Sequence, residues 1–182
     1  MKKLSIVVPC LNEEQSLPLF YKEVRKVCQE IPADCEFWFI DDGSSDATLQ
    51  LIKEFRSVNK AVHYISFSRN FGKEAAMYAG LQAATGDYVA VMDADLQDPP
   101  SLLPRFFDIL ERNEYECVAA RRTDRKGESI IKSFLANRFY QLINHISKTN
   151  IVPGVRDYRM MNIWERLRQT RPKRCGSGAS LP

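Results

Sequence analysis

Three aspartates, Asp93, Asp95 and Asp98, fall within the stretch "VAVMDADLQDPP", directly after an apolar run. Carboxylates crowded at the end of a buried strand repel one another unless a cation lies among them. In an extended segment residues i and i+2 point to the same side, so Asp93 and Asp95 can share one ion. Oxygen ligands suit a hard divalent cation, Mg²⁺ or Mn²⁺. Magnesium keeps waters and completes its shell with substrate phosphates, so a diphosphate is the natural third partner. Gln97 is again two residues on and can add a ligand or hold a water. The same spacing also fits a solvated turn that caps the next helix.

Other polar clusters raise related questions. In "IDDGSSDAT", Asp41 or Asp42 can accept hydrogen bonds from a base or a ribose; a turn followed by a helix cap explains the stretch equally well. "PCLNEE" reads either as a ligand loop or as a helix start, with Asn12 as cap and Glu13–Glu14 in the first turn. Arg121, Arg122, Arg125 and Lys126 form a cationic group whose guanidinium forks match phosphate; a solvated charge run is the alternative. Among sequence signatures, G-x-G-x-x-G, the P-loop, G-x-S-x-G and H-E-x-x-H are all absent, and the Gly72-Lys73 pair lacks the upstream glycine of a P-loop.

The elements that must position these groups follow from periodicity. Leu4–Val8 is a run apolar but for Ser5 and ended by Pro9, the pattern of a strand buried on both faces. Leu17, Phe20, Val24, Val27 and Ile31 recur at helical steps, with Pro32 closing the helix. "EFWFID" is a second strand, and Ser45 or Asp46 caps a helix with Leu49, Ile52 and Phe55 inside. "VHYISF" is a third strand and Lys73–Ala84 an Ala-rich helix stopped by Gly86. "YVAVMD" is a fourth strand, Ser101–Glu111 a helix and "CVAAR" a fifth strand. Alternation at these lengths predicts a parallel α/β sheet flanked by helices. Ligands of such sheets bind beyond the C-terminal strand ends. The polar clusters "PCLNEE", "DDGSSD", "SRNFGKE", "DADLQD" and "RRTDR" all lie there, one after each strand, which implies one continuous binding edge.

Composition bounds the alternatives. The 182 residues suffice for one domain with a real core. Residues 156–182 hold seven Lys/Arg against two Asp/Glu, and the preceding 155 hold 19 against 21. The body is therefore not a nucleic-acid binder by bulk charge. The five cysteines (Cys10, Cys28, Cys35, Cys117, Cys175) include no C-x-x-C pair, and His63 and His145 stand apart. Reduced thiols in a cytoplasmic compartment are expected, with neither a disulfide framework nor a zinc site. The apolar run at the N-terminus is too short for a signal peptide, and no stretch approaches a membrane span. "SIIKSFLANRFYQLINHI" (129–146) is amphipathic and fits either a helix on the sheet or one on a membrane surface.

"VVPCLNEE", "IDDGSSDAT", "SRNFGKEAA", "DADLQDPP", "VAARR" and "RDYRMM" stand in the order and spacing of family 2 glycosyltransferases. The chain resembles that family from Leu4 to Met161, and within it the branch that glycosylates polyprenyl phosphates. The resemblance implies a GT-A fold, a Rossmann-like nucleotide-sugar-binding domain with a mostly parallel sheet. It implies that Pro9, Leu11 and Glu13 form the first nucleotide-binding motif, and that Ile40, Asp41 and Asp42 hold the nucleoside. Asp93, Ala94, Asp95 and Gln97 become the metal and diphosphate site, and Arg122 contacts the donor diphosphate or acceptor phosphate. Asp93, Asp95 and Asp157 are the implied catalytic carboxylates. Asp157 is needed as a base only if the acceptor is a sugar hydroxyl, because a phosphate acceptor is already anionic. The implied activity is inverting, metal-assisted hexosyl transfer from a UDP-glucose- or GDP-mannose-type donor to undecaprenyl or dolichyl phosphate, at the cytoplasmic face of a membrane.

The resemblance stops after Met161, so residues 1–161 are expected to be the catalytic domain and 162–182 a basic, poorly ordered tail. "NIWERLRQTRPKRC" lacks the apolar strand and helix that family members carry there, and the chain reads as C-terminally truncated. Three readings follow: a working transferase, a remnant that binds nucleotide and metal, and a transferase with a glycan acceptor.

Overall fold

Strand β1, Lys2–Cys10, continues through Pro9 instead of ending before it. It lies between β2, Ala33–Asp41, and β4, Tyr88–Val91. With β2 it pairs over its whole length, to Cys10↔Asp41, but with β4 only as far as Val7↔Val91. Alternate residues of a parallel strand turn their amides to the same neighbour. The Val7 carbonyl accepts from the Met92 N–H on the β4 side, and the Cys10 carbonyl accepts from the Asp42 N–H on the β2 side. Pro9 thus faces the β4 side beyond the last pair, where its missing N–H costs no ladder bond.

The computed structural model describes residues 1–121 and 155–162. Its sheet has six strands in the order β3-β2-β1-β4-β6-β5, with β3 at Val62–Ser66, β5 at Cys117–Arg121 and β6 at Val155–Asn162. β1 to β4 are parallel, as the alternation predicted. β6 was not predicted as a strand. It runs antiparallel between β4 and β5, which leaves the C-terminal end of β5 on the same edge as those of β1 to β4.

The helices are α1, Leu17–Cys28; α2, Thr48–Val58; α3, Lys73–Ala83; and α4, Leu103–Glu111, preceded by a 3₁₀ turn at Pro100–Leu102. Period-two alternation divides β1 between two cores. Leu4, Ile6, Val8 and Cys10 pack with Phe20 and Val24 of α1, Ile52 of α2 and Phe106 and Phe107 of α4. Val7 lies on the other face with Ile40, Val89, Met161 and Ala76 and Leu81 of α3.

Only α3 among the described helices covers that second face, and it does so closely. A Cβ on Gly80 would stand 2.3 Å from Val7 Cγ1 and 3.2 Å from Ile40 Cγ1. Gly80→Val is therefore expected to destabilise the fold by about 1–3 kcal/mol through overpacking. A thermal melt measures this, and an unchanged midpoint would contradict the close approach.

Among the described residues no helix is long and apolar enough to cross a membrane. Arg122, Arg125, Lys126, the amphipathic segment 129–146 and the tail 163–182 lie outside the described residues.

Candidate active site

The loops after β1 and β2 are joined to each other before they meet any ligand. Asn12, in the left-handed region at φ 57°, accepts from the Ser45 N–H at 2.9 Å, while its own N–H donates to Ser44 Oγ. The Glu13 N–H donates to Thr48 Oγ1 at 2.8 Å. Glu14 and Asp46 exchange contacts: the Glu14 N–H donates to Asp46, and the Ala47 N–H donates to Glu14 Oε2. Asp46 also accepts from the Thr48 N–H, but the N-cap of α2 is Ala47, not Ser45 or Asp46 as the sequence suggested. Asn12 and the glutamates do not cap α1, whose N-cap is Ser16 and whose first turn holds no acid. The side chains of Asn12 and Glu14 serve the neighbouring loop instead, whereas that of Glu13 accepts from Ser16 Oγ.

Asp41 and Asp42 also organise backbone. Asp41 is 1% exposed and accepts from the Ser44 N–H at 3.1 Å and from Ser66 Oγ at 2.8 Å. Asp42 accepts from the N–H groups of Phe71 (2.7 Å) and Gly72 (3.0 Å), fixing the loop between β3 and α3. That loop passes close to Gly43, at φ 74°, where an added Cβ would lie 2.5 Å from the Arg69 carbonyl carbon and 2.8 Å from the Asn70 nitrogen. Both obstacles are backbone, so no side-chain rotation relieves them. Gly43→Ala is expected to cost about 1–3 kcal/mol and to displace residues 69–72. Amide exchange of Phe71 and Gly72 would report it, and protection equal to wild type would count against it.

These joined loops surround a cavity of about 300 Å³ at the C-terminal edge of the sheet. From β1 and its loop it is lined by Pro9, Cys10, Leu11 and Glu13. From the ends of β2 and β4 come Asp42, Asp93, Ala94 and Asp95. Seven of the residues anticipated from the sequence thus meet in one place. Ile40 is fully buried in the core beneath α3, and Asp41 is buried and does not line the cavity. Gln97 is exposed on the following turn and donates its N–H to Asp95 Oδ1 at 3.0 Å. Asp157 belongs to β6.

The three aspartates of "DADLQD" separate. Asp93 and Asp95 line the cavity, whereas Asp98 is buried at 9% exposure. Burial first, and then the charge of Asp98, push the Tyr158 phenol well above its ordinary range.

The cavity has a negative field. Burial, followed by the charges of Glu13, Asp41 and Asp93, pushes the Cys10 thiol well up. Cys10 is therefore no candidate nucleophile. Among the described residues no group of three or more His, Cys, Asp or Glu could hold a metal by protein ligands alone. Two carboxylates in an open cavity do fit a hard cation that takes its remaining ligands from phosphate and water.

Asn70, Gly72, Lys73 and Ala76 also line the cavity; "SRNFGKEAA" contains all four, but that motif by itself assigns none of them to the site. Lys73 reaches Asp93 with Nζ 2.7 Å from Oδ1 and 2.8 Å from Oδ2. A signal was present: a lysine on the first residue of a helix sits at the positive end of the dipole, and so calls for an acidic partner.

Residues 5–174 match the family described as Glycosyl transferase family 2. A bactoprenol glucosyl transferase of Shigella phage SfX is 42% identical over 160 residues, 88% of this chain and 52% of that protein. A mannosyl-3-phosphoglycerate synthase from Rubrobacter xylanophilus superposes with a TM-score of 0.65 at 19% identity, covering 89% of this chain and 53% of the other. The mannosyltransferase PcManGT from Pyrobaculum calidifontis, solved with GDP-Man and Mn²⁺, gives 0.58 at 20% identity, covering 91% and 46%. The chain spans about half the length of the curated relatives it matches.

Proposed function

Since the chain belongs to glycosyl transferase family 2, we propose that its cavity binds the nucleoside diphosphate end of an activated sugar for transfer to a polyprenyl phosphate. The observation that carries this reading is the meeting of Asp93 and Asp95 with Glu13, Asp42 and Lys73 in one cavity at the strand ends. The relative from phage SfX, named for glucosyl transfer to bactoprenol, supports the acceptor class.

Asp93 and Asp95 hold Mg²⁺ or Mn²⁺, with Gln97 within the same turn to hold a water. When bound, the ion neutralises charge that builds on the departing diphosphate. Glu13 and Asp42, fixed by their loops, line the nucleoside end, and Pro9, Leu11 and Ala94 give it apolar wall. Arg122 supplies a further positive charge toward phosphate. An acceptor phosphate oxygen attacks the anomeric carbon from the face opposite the leaving group, so configuration inverts. Asp157 takes a proton only where the acceptor is a hydroxyl. The reaction is placed at the cytoplasmic face of a membrane, where the acceptor's headgroup lies.

Calorimetry with UDP and GDP, each with Mn²⁺ or with EDTA, tests the donor site. Metal-dependent binding of one of them is expected, and its absence from both would overturn the reading. Membranes supplied with the chain and a radiolabelled sugar donor test transfer. Lipid-linked label supports the transferase. Binding without label reduces the chain to a nucleotide- and metal-binding protein, and label on a glycan replaces the acceptor.

A further inference from the structure

The ion pair between Lys73 and Asp93 occupies the atoms that a divalent cation needs. Both Asp93 oxygens lie within 2.8 Å of the Lys73 ammonium. Lys73 is the first residue of α3, where the macrodipole opposes a cation. The carboxylate of Asp93, on a different strand end 20 residues away, offsets that cost. The ammonium is not sealed in, since the Lys73 side chain is 39% exposed and lines the same cavity as Asp95, Glu13 and Asp42.

A metal ion arriving alone must displace the ammonium from Asp93 and leave it among no new anions. A nucleoside diphosphate brings anions with it. Its phosphates can take the ammonium, which frees both Asp93 oxygens for the ion. We propose that Lys73 is an internal counter-cation that makes metal binding conditional on the nucleoside diphosphate. This rests on the donor-site reading above. Lys73 is a positioning residue here: it couples two ligands, and by linkage each raises the affinity of the other by the same factor.

The test uses the full chain, as wild type, Lys73→Met and Lys73→Arg. Free Mn²⁺ is counted by electron paramagnetic resonance, and UDP and GDP binding is followed by calorimetry, each ligand alone and then together. Lys73→Met is expected to bind Mn²⁺ alone about tenfold tighter and the nucleotide alone, in EDTA, about tenfold more weakly. The factor by which nucleotide raises Mn²⁺ affinity shrinks accordingly. Lys73→Arg keeps the charge and should stay closer to wild type than to Lys73→Met in both measurements. Melting curves confirm that the variants fold. Mn²⁺ binding to Lys73→Met no tighter than to wild type, or unchanged nucleotide binding in EDTA, overturns the proposal while leaving the donor site standing. A wild-type chain that binds neither nucleotide with Mn²⁺ overturns the donor site itself, and this coupling with it.

Discussion

Asp95→Ala is expected to lower Mn²⁺-dependent nucleotide affinity by about 100-fold or more while leaving the fold intact. Asp93 and Asp95 are the two carboxylates of the D-x-D pair that line the cavity, and no larger cluster of ligating side chains is present among the described residues. Loss of partners that merely support metal ligands costs about 10–100-fold, so loss of one of two direct ligands should cost at least the upper end of that range. Stability should hardly change, because Asp95 is exposed and its hydrogen bond is to the Gln97 N–H on its own turn. Calorimetry with Mn²⁺ and UDP or GDP gives the number. Binding within threefold of wild type would remove Asp95 from the metal site. A fall equally large in EDTA would show that Asp95 contacts the nucleotide without an ion.

Glu36→Gln is expected to do the reverse, with a large loss of stability and the cavity untouched. Glu36 is 3% exposed on β2. It accepts from Ser5 Oγ at 2.6 Å, Trp38 Nε1 at 3.0 Å and the Thr85 N–H at 2.8 Å, and pairs with Lys3 Nζ at 2.6 Å. Ser5 in turn accepts from the Gly86 N–H at 2.8 Å, so one carboxylate joins β1, β2 and the end of α3. An amide can accept only part of this set and would aim its own donors at Lys3. Breaking a buried charged network of this kind costs about 2–4 kcal/mol, or roughly 5–15 °C in melting temperature.

The same group sets an acid limit. Burial by itself would raise the Glu36 pKa, but the hydrogen bonds from Lys3, Ser5, Thr85 and Trp38 outweigh it and hold the carboxyl at about 2, against 4.5 ordinarily. A folded-state pKa below the unfolded one stabilises the protein above about pH 4.5. That contribution is lost as pH falls from about 4.5 to about 2. The stability difference between wild type and Glu36→Gln should therefore be constant above pH 5 and shrink below 4.5. A difference that stays flat down to pH 2.5 would show that the charge of Glu36 is not what the network requires.

Much of the scaffold was legible because its signals are local. "YVAV" is apolar throughout and Leu4–Val8 is apolar except at Ser5, the pattern of a strand covered on both faces. The α1 stripe of Leu17, Phe20 and Val24 faces the core as its spacing required. β6 escaped because "VRDYRMMN" mixes charge with apolar residues and shows no clean period. Tyr158, Met160 and Met161 become core residues only once the free edge of β4 is there to receive them. Pro9 was read as a stop because a sequence does not show which neighbour a proline nitrogen faces.

The candidate site divides in the same way. The spacing of Asp93 and Asp95, their position after a buried strand and the ordered motifs of the family all lie in short stretches, and these determined the fold class, the binding edge and the kind of ligand. Which carboxylate stands free and which is held was decided only in three dimensions. Asp93 meets Lys73, Asp98 is buried, and Asp41 and Asp42 secure the loops that carry other lining residues. Side-chain direction follows from local backbone geometry, but a charge is balanced by whatever lies within a few ångströms, and chain connectivity does not reveal that neighbour.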